Sequence, residues 1–106
     1  MPLTKDFKET VRARAARDAA FRKHLLKEAI DCMLAGDVDT GKAVLRDYIN
    51  ATIGFEELSH VTRKSPKSLM RMFGTTGNPQ ANNLFEIVAY LQKNEGLRLT
   101  TRTSSR

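Results

Sequence analysis

The chain has 106 residues, 41% hydrophobic and 28% charged, which fits one folded domain and excludes a disordered chain. Its 18 Lys and Arg against 12 Asp and Glu give a net charge of +6, which favours an anionic partner. No apolar run approaches the ~20 residues of a membrane span, Lys5, Asp6, Lys8 and Glu9 stand where a secretory signal would be apolar, and one cysteine excludes an internal disulfide.

Thr4 is placed to cap a first helix over 5–16, with Phe7, Val11 and Ala15 at i, i+4 and i+8. Asp18 reads as the next N-cap, opening a helix to Ala35 on Phe21, Leu25, Ala29 and Met33, with Leu26 and Ile30 widening the stripe. Gly36 supplies the left-handed position after it. Asp37 starts a third helix over 38–51, whose buried side is expected to be Val38, Leu45, Tyr48 and Ile49, with Gly54 just past its end. A short helix over 55–62 carries Phe55, Leu58 and Val61.

Ser65-Pro66 then puts a hydroxyl at N-cap and a proline at N1, where its missing N–H costs nothing. The helix it opens, 66–73, turns Leu69, Met72 and Phe73 inward. Gly74-Thr75-Thr76-Gly77 is a loop, Asn78-Pro79 repeats the cap-plus-proline device, and a last helix over 79–94 carries Leu84, Ile87, Val88 and Leu91. The alternation Leu97-Arg98-Leu99-Thr100 predicts a short terminal strand. Residues 1–100 therefore form one helical domain, with 101–106 as a polar, flexible tail.

Charge is distributed unevenly along the chain. Residues 1–53 hold 10 basic and 8 acidic side chains, and residues 54–106 hold 8 and 4. Between Glu57 and Glu86 there is no acid, whereas Arg63, Lys64, Lys67 and Arg71 all fall there. A solvated helix face ordinarily mixes both signs, because opposite charges four residues apart support each other. The two helices of this window are too short, and too closely spaced, to lie antiparallel over much length. They fit a helix-turn-helix, in which the first crosses the DNA backbone and the second enters the major groove. Leu58, Leu69 and Met72 would lock the pair together, leaving Lys67, Ser68 and Arg71 outward.

The stretch from Leu45 to Leu99 resembles the addiction-module antidote family, the HigA-type antitoxins related to Cro and the phage repressors. The resemblance rests on Leu45-Arg46-Asp47, on Gly54-Phe55-Glu56-Glu57-Leu58, and on Ser65-Pro66-Lys67-Ser68-Leu69. It continues through Gly77-Asn78-Pro79, Asn83-Leu84-Phe85-Glu86-Ile87-Val88 and Gly96-Leu97-Arg98-Leu99. With the entry helix and Gly-Asp break from Phe21 to Asp37, it covers roughly three-quarters of the chain. The resemblance implies a DNA-binding, usually dimeric repressor of its own operon; in true antitoxins it also implies silencing of a small ribonuclease toxin. Two positions depart from the pattern. The turn residue, commonly Gly, is Arg63, and the small residue where the helices approach, commonly Ala, is Ser59.

The expected architecture is thus all-α, a five-helix helix-turn-helix domain of the lambda-repressor-like kind with a short C-terminal strand. Lys67, Ser68 and Arg71 are assigned to base edges, arginine being the commonest reader of guanine. Arg63, Lys64, Ser65, Thr75, Thr76 and Asn78 are assigned to phosphates, which position the protein without specifying sequence. The partners expected are operator DNA, a second copy of the chain through its last helix and terminal strand, and a small toxin. No membrane, metal or cofactor is expected, and the protein is placed in the cytoplasm.

Other features have plainer readings. Arg12, Arg14 and Arg17 form a solvated helix face, and Cys32 is a small, half-buried apolar residue. His24 and His60 have no Cys or His at ligand spacing. Gly74-Thr75-Thr76-Gly77 lacks the flanking strands of a KH domain and the Lys-Ser/Thr of a P-loop. No nucleophile–base–orienter set is present, so an enzyme is not expected. The alternative function is a protein-interaction module that masks a small ribonuclease toxin, with DNA binding secondary or lost; the long N-terminal half supports it. A non-specific nucleic-acid binder is a third reading.

Overall fold

Three helix starts in this chain are set by side chains that take up a free N–H group of the first turn. Asp18 accepts from the Phe21 N–H at 3.1 Å, Asp37 from the Thr40 N–H at 3.2 Å, and Ser65 from the Ser68 N–H at 3.1 Å. The Phe21 N–H holds the Asp18 carboxyl below the usual carboxylate range, and the Thr40 hydroxyl, followed by the Thr40 N–H, does the same for Asp37. The computed structural model describes residues 5–105, with side chains from residue 10 onward. Its helices are α1 (Lys5–Arg17), α2 (Ala19–Leu34), α3 (Val38–Ala51), α4 (Gly54–Thr62), α5 (Pro66–Met72) and α6 (Ala81–Glu95). Among the described residues the fold is all-helical, and it has six helices rather than five, one for each of the helical segments taken in chain order above. The Thr4 cap and the Phe7 side chain lie outside the described residues.

The core gathers Leu26 and Ala29 of α2, Leu45, Tyr48 and Ile49 of α3, Leu58 of α4, Leu69 of α5 and Ile87, Val88 and Leu91 of α6. Helices α2 and α3 approach closely at Gly41, where a Cβ would stand 2.6 Å from Met33 Cγ and 2.9 Å from the Ala29 carbonyl oxygen.

A polar tie lies at the edge of this apolar core. Glu95, at the end of α6, accepts from Arg22 Nε of α2 at 3.1 Å and from the Tyr48 hydroxyl of α3 at 2.6 Å. Arg22 also donates through Nη1 to the Ala15 carbonyl of α1 at 2.8 Å. Three helices meet at one carboxylate, and Arg22 joins the fourth, α1, to them.

Several expectations about individual residues are corrected. Among the described residues there is no strand. Residues 97–100 form no regular secondary structure, with Leu97 and Leu99 packed against the core and the Leu99 N–H donating to Gln92 Oε1 at 2.7 Å. Their alternation reflects an irregular segment tied to Gln92 of α6, with Leu97 and Leu99 turned toward the core and no neighbouring strand among the described residues. Helix α6 begins at Ala81, with Gln80 in the N-cap position and no side-chain cap bond, so Asn78-Pro79 lie ahead of the helix and do not cap it. Helix α5 likewise ends at Met72, and Phe73 follows it.

Val38 and Val61, expected inward, are 46% and 43% exposed. Val38 opens α3 ahead of the face that meets α2. In α4 the buried face is Phe55, Leu58 and Thr62, with the Thr62 hydroxyl donating to the Leu58 carbonyl at 2.8 Å. Gly36, as expected, takes a positive φ of 91° after α2. No helix among the described residues is long and apolar enough to cross a membrane.

Burial first, and the Glu95 carboxylate second, push the Tyr48 hydroxyl well above its ordinary value. The folded state therefore holds this proton more tightly than the unfolded chain does. The resulting stabilisation is intact below the unfolded tyrosine value of ~10 and is lost as pH rises beyond it. Tyr48→Phe removes a hydrogen bond to a charged acceptor and is expected to cost about 1.5–3 kcal/mol at pH 7 in urea denaturation. The gap from the wild type should narrow above pH ~10; a gap independent of pH would contradict this reading of Tyr48.

Candidate nucleic-acid interface

Helices α4 and α5 are joined by the three residues Arg63, Lys64 and Ser65. The turn is made by Arg63 in the left-handed region, at φ 60° and ψ 25°, the one non-glycine residue with positive φ among the described residues. An L-residue in this conformation costs roughly 1–2 kcal/mol. Local hydrogen bonds offset that cost: the Arg63 N–H donates to the Ser59 carbonyl at 2.9 Å, and the Ser59 hydroxyl donates to the Lys64 carbonyl at 2.6 Å. Ser59, in the last turn and a half of α4, thus ties the Arg63 turn back to the helix through its hydroxyl.

The two helices are held against each other from inside. The rings of Phe55 and Phe73 lie 6.1 Å apart, tilted by 52°, and Leu58 and Leu69 are fully buried. With Leu69 inward, Lys67, Ser68, Met70 and Arg71 of α5 are all exposed. The Ser65 hydroxyl caps α5 and also pairs with the Ser68 hydroxyl at 2.9 Å.

The loop after α5 is held by a residue that the sequence reading missed. Lys42 of α3 is only 4% exposed. Its ammonium donates to the carbonyls of Gly74 at 3.2 Å and Gly77 at 2.6 Å, with the Asp39 carboxylate at 3.8 Å. Gly77 is required there, because a Cβ would overlap the Arg71 carbonyl oxygen and stand 2.7 Å from that of Met72. The signal for Lys42 was present: it falls in register with Leu45 and Ile49 on the buried face of α3.

This clamp folds the loop beside α5 and forms an open groove of about 280 Å³. Ser68 and Arg71 line one side, and Thr76, Asn78 and Pro79 the other. Four of the nine residues assigned to DNA therefore share one surface feature. Arg63, Lys64, Ser65 and Lys67 occupy the turn and the start of α5. Thr75 is placed differently, lining a smaller hollow with Asp39 and Arg46.

Arg63, Lys67 and Arg71 are exposed and Lys64 is half-exposed. Among the described residues none of the four pairs with a carboxylate, a property they share with Arg12, Arg17, Lys23, Arg46, Lys93, Arg98 and Arg102. The arrangement can meet a polyanion along the turn, the outer side of α5 and the groove. Arg14 is drawn elsewhere, against Asp18 at 3.6 Å and over the Phe21 ring at 4.5 Å. Cys32 lies 3.9 Å from a Glu28 carboxylate oxygen, and burial followed by that acid pushes its thiol up, which disfavours the thiolate.

No family model matches the chain, and neither a curated protein nor a solved structure matches it.

Because Arg63 occupies a conformation suited to glycine, Arg63→Gly is expected to raise stability by about 0.5–1 kcal/mol, the relief of the left-handed strain less the added freedom of the unfolded chain. Thermal or urea unfolding measures this directly, and a destabilised Arg63→Gly would mean that the arginine side chain itself supports the turn.

Proposed function

We propose that the chain is a sequence-specific DNA-binding transcriptional regulator, in which α4, the turn and α5 act as a helix-turn-helix. The observation that carries this reading is the Arg63 turn, which sets two short helices so that Lys67, Ser68 and Arg71 share the outward side of the second. The acid-free run from residue 58 to residue 85 supports it, since nothing in that stretch would repel phosphate. On this account α5 enters the major groove, with Lys67, Ser68 and Arg71 at base edges. Arg63, Lys64, Ser65, Thr76 and Asn78 meet phosphates on either side, and Thr75 would do so only at the margin.

The protein acts by binding, without catalysis. Two copies would bind half-sites about one turn, ~34 Å, apart. Phe85 of α6, 60% exposed, offers the apolar contact between them, while Tyr90 is already packed on this chain's own core. On the resemblance to addiction-module antidotes, the regulator would be an autorepressing antitoxin of a toxin–antitoxin pair.

A second reading, a module that masks a basic toxin, is favoured by another surface. Between Lys27 and Lys42 stand Glu28, Asp31, Asp37 and Asp39 with no cation, beside Leu34 and Val38, 69% and 46% exposed.

Fluorescence anisotropy against DNA from upstream of the gene, with a scrambled duplex beside it at two salt concentrations, separates these accounts. The regulator account expects the native site to win by about 10³-fold or more, with two chains per site. Arg71→Ala should then cost about 1–3 kcal/mol on the native site alone, and Lys67→Ala should also weaken it. Equal binding to both duplexes would reduce the basic window to an electrostatic face, and no binding to either would leave the protein-partner reading.

A further inference from the structure

Met70 stands apart from the rest of α5. Leu69 and Phe73 are 0% and 2% exposed, whereas Met70 is 52% exposed, one turn beyond Lys67 and next to Arg71. A lone exposed apolar side chain needs no special account on an ordinary surface. Met70 is different because of its neighbours: it projects from the same short helix that carries Lys67, Ser68 and Arg71 outward, and the fold leaves it uncovered.

The major groove offers one apolar group to such a side chain, the C5-methyl of thymine. Lysine, serine and arginine supply hydrogen bonds, chiefly to guanine and phosphate, and none of them is matched to that methyl. An unbranched, polarizable thioether is. Residues 70 and 71 are about 1.5 Å apart along the helix axis and about 100° apart around it, so both leave the exposed side of α5 in neighbouring directions. A base contact made by Met70 therefore falls at or beside the pair contacted by Arg71.

We infer that Met70 is a specificity-determining residue that packs on the C5-methyl of a thymine adjoining the guanine read by Arg71. The inference rests on the DNA-reading account proposed above. It adds to that account a direct discrimination at an A·T pair, which the hydrogen-bonding side chains of α5 do not supply.

The test uses the full chain and duplexes that it selects from a randomised pool. Each thymine of the selected site is replaced in turn by deoxyuridine, which removes the methyl and keeps every hydrogen-bonding group. Affinity is expected to fall about fourfold at one thymine per half-site, the value of burying a single methyl. That thymine should adjoin a guanine whose replacement abolishes the penalty of Arg71→Ala. Met70→Ala should bind the thymine and uracil duplexes equally while still preferring the selected site to a scrambled one.

A selected site at which wild-type protein binds thymine and uracil alike, or at which Met70→Ala keeps the uracil penalty, overturns the assignment of Met70 and leaves DNA reading in place. A pool from which no sequence is enriched overturns both. The uracil comparison is made on the wild-type chain, so it does not depend on a variant folding.

Discussion

The carboxylate of Glu95 is the constraint on which the helical arrangement depends. It is nearly buried, with the side chain 8% exposed, and Arg22 and Tyr48 both donate to it. A buried charge without partners is strongly unfavourable, so these groups must converge for the fold to close. Their convergence brings the end of α6 onto α2 and α3, and Arg22 extends the tie to α1. Lys42 plays the corresponding part elsewhere on α3, where its ammonium serves two carbonyls of the loop after α5. Helix α3 is thus a spine with two polar anchors, one for the terminal helix and one for the loop beside the proposed DNA-reading helix.

Much of the helical layout was legible because it is written in local chemistry. Asp18, Asp37 and Ser65 each precede an apolar-periodic run and each accepts the expected backbone N–H. What was not legible depends on long-range packing. Leu97 and Leu99 alternate as a strand would, yet an irregular segment tied to a helix gives the same pattern, and only the fold decides between them. Val38 and Val61 fit a helical stripe within a residue or so of its true phase, and the neighbouring helices fixed that phase. Lys42 is one more cation by composition, although its register with Leu45 and Ile49 places it inward. Asn78-Pro79 carry the composition of a cap but lie before the helix, in the stretch that leads from the clamped loop to α6.

The candidate site was legible as composition and only partly as geometry. The acid-free window named the cations, and the helix pair named the outward side of α5. The sequence left open whether an arginine could make the turn; the structure places Arg63 in the left-handed region with Ser59 bridging it. The chain also separates its charges. Unpaired cations lie on the turn and α5, while the corner between α2 and α3 carries acids and exposed apolar side chains. On the proposed reading the first surface meets DNA and the second remains available to a protein.

The central claim, that the turn and the outward side of α5 contact DNA, is tested most directly by amide chemical-shift mapping of the labelled full chain against a bound duplex. The account predicts that the largest changes fall within residues 63–78, including Lys67, Ser68, Met70 and Arg71, with α2 little affected. Largest changes on α1 and α2, around Arg12, Arg17 and Lys23, or changes spread evenly over the basic surface, would contradict it.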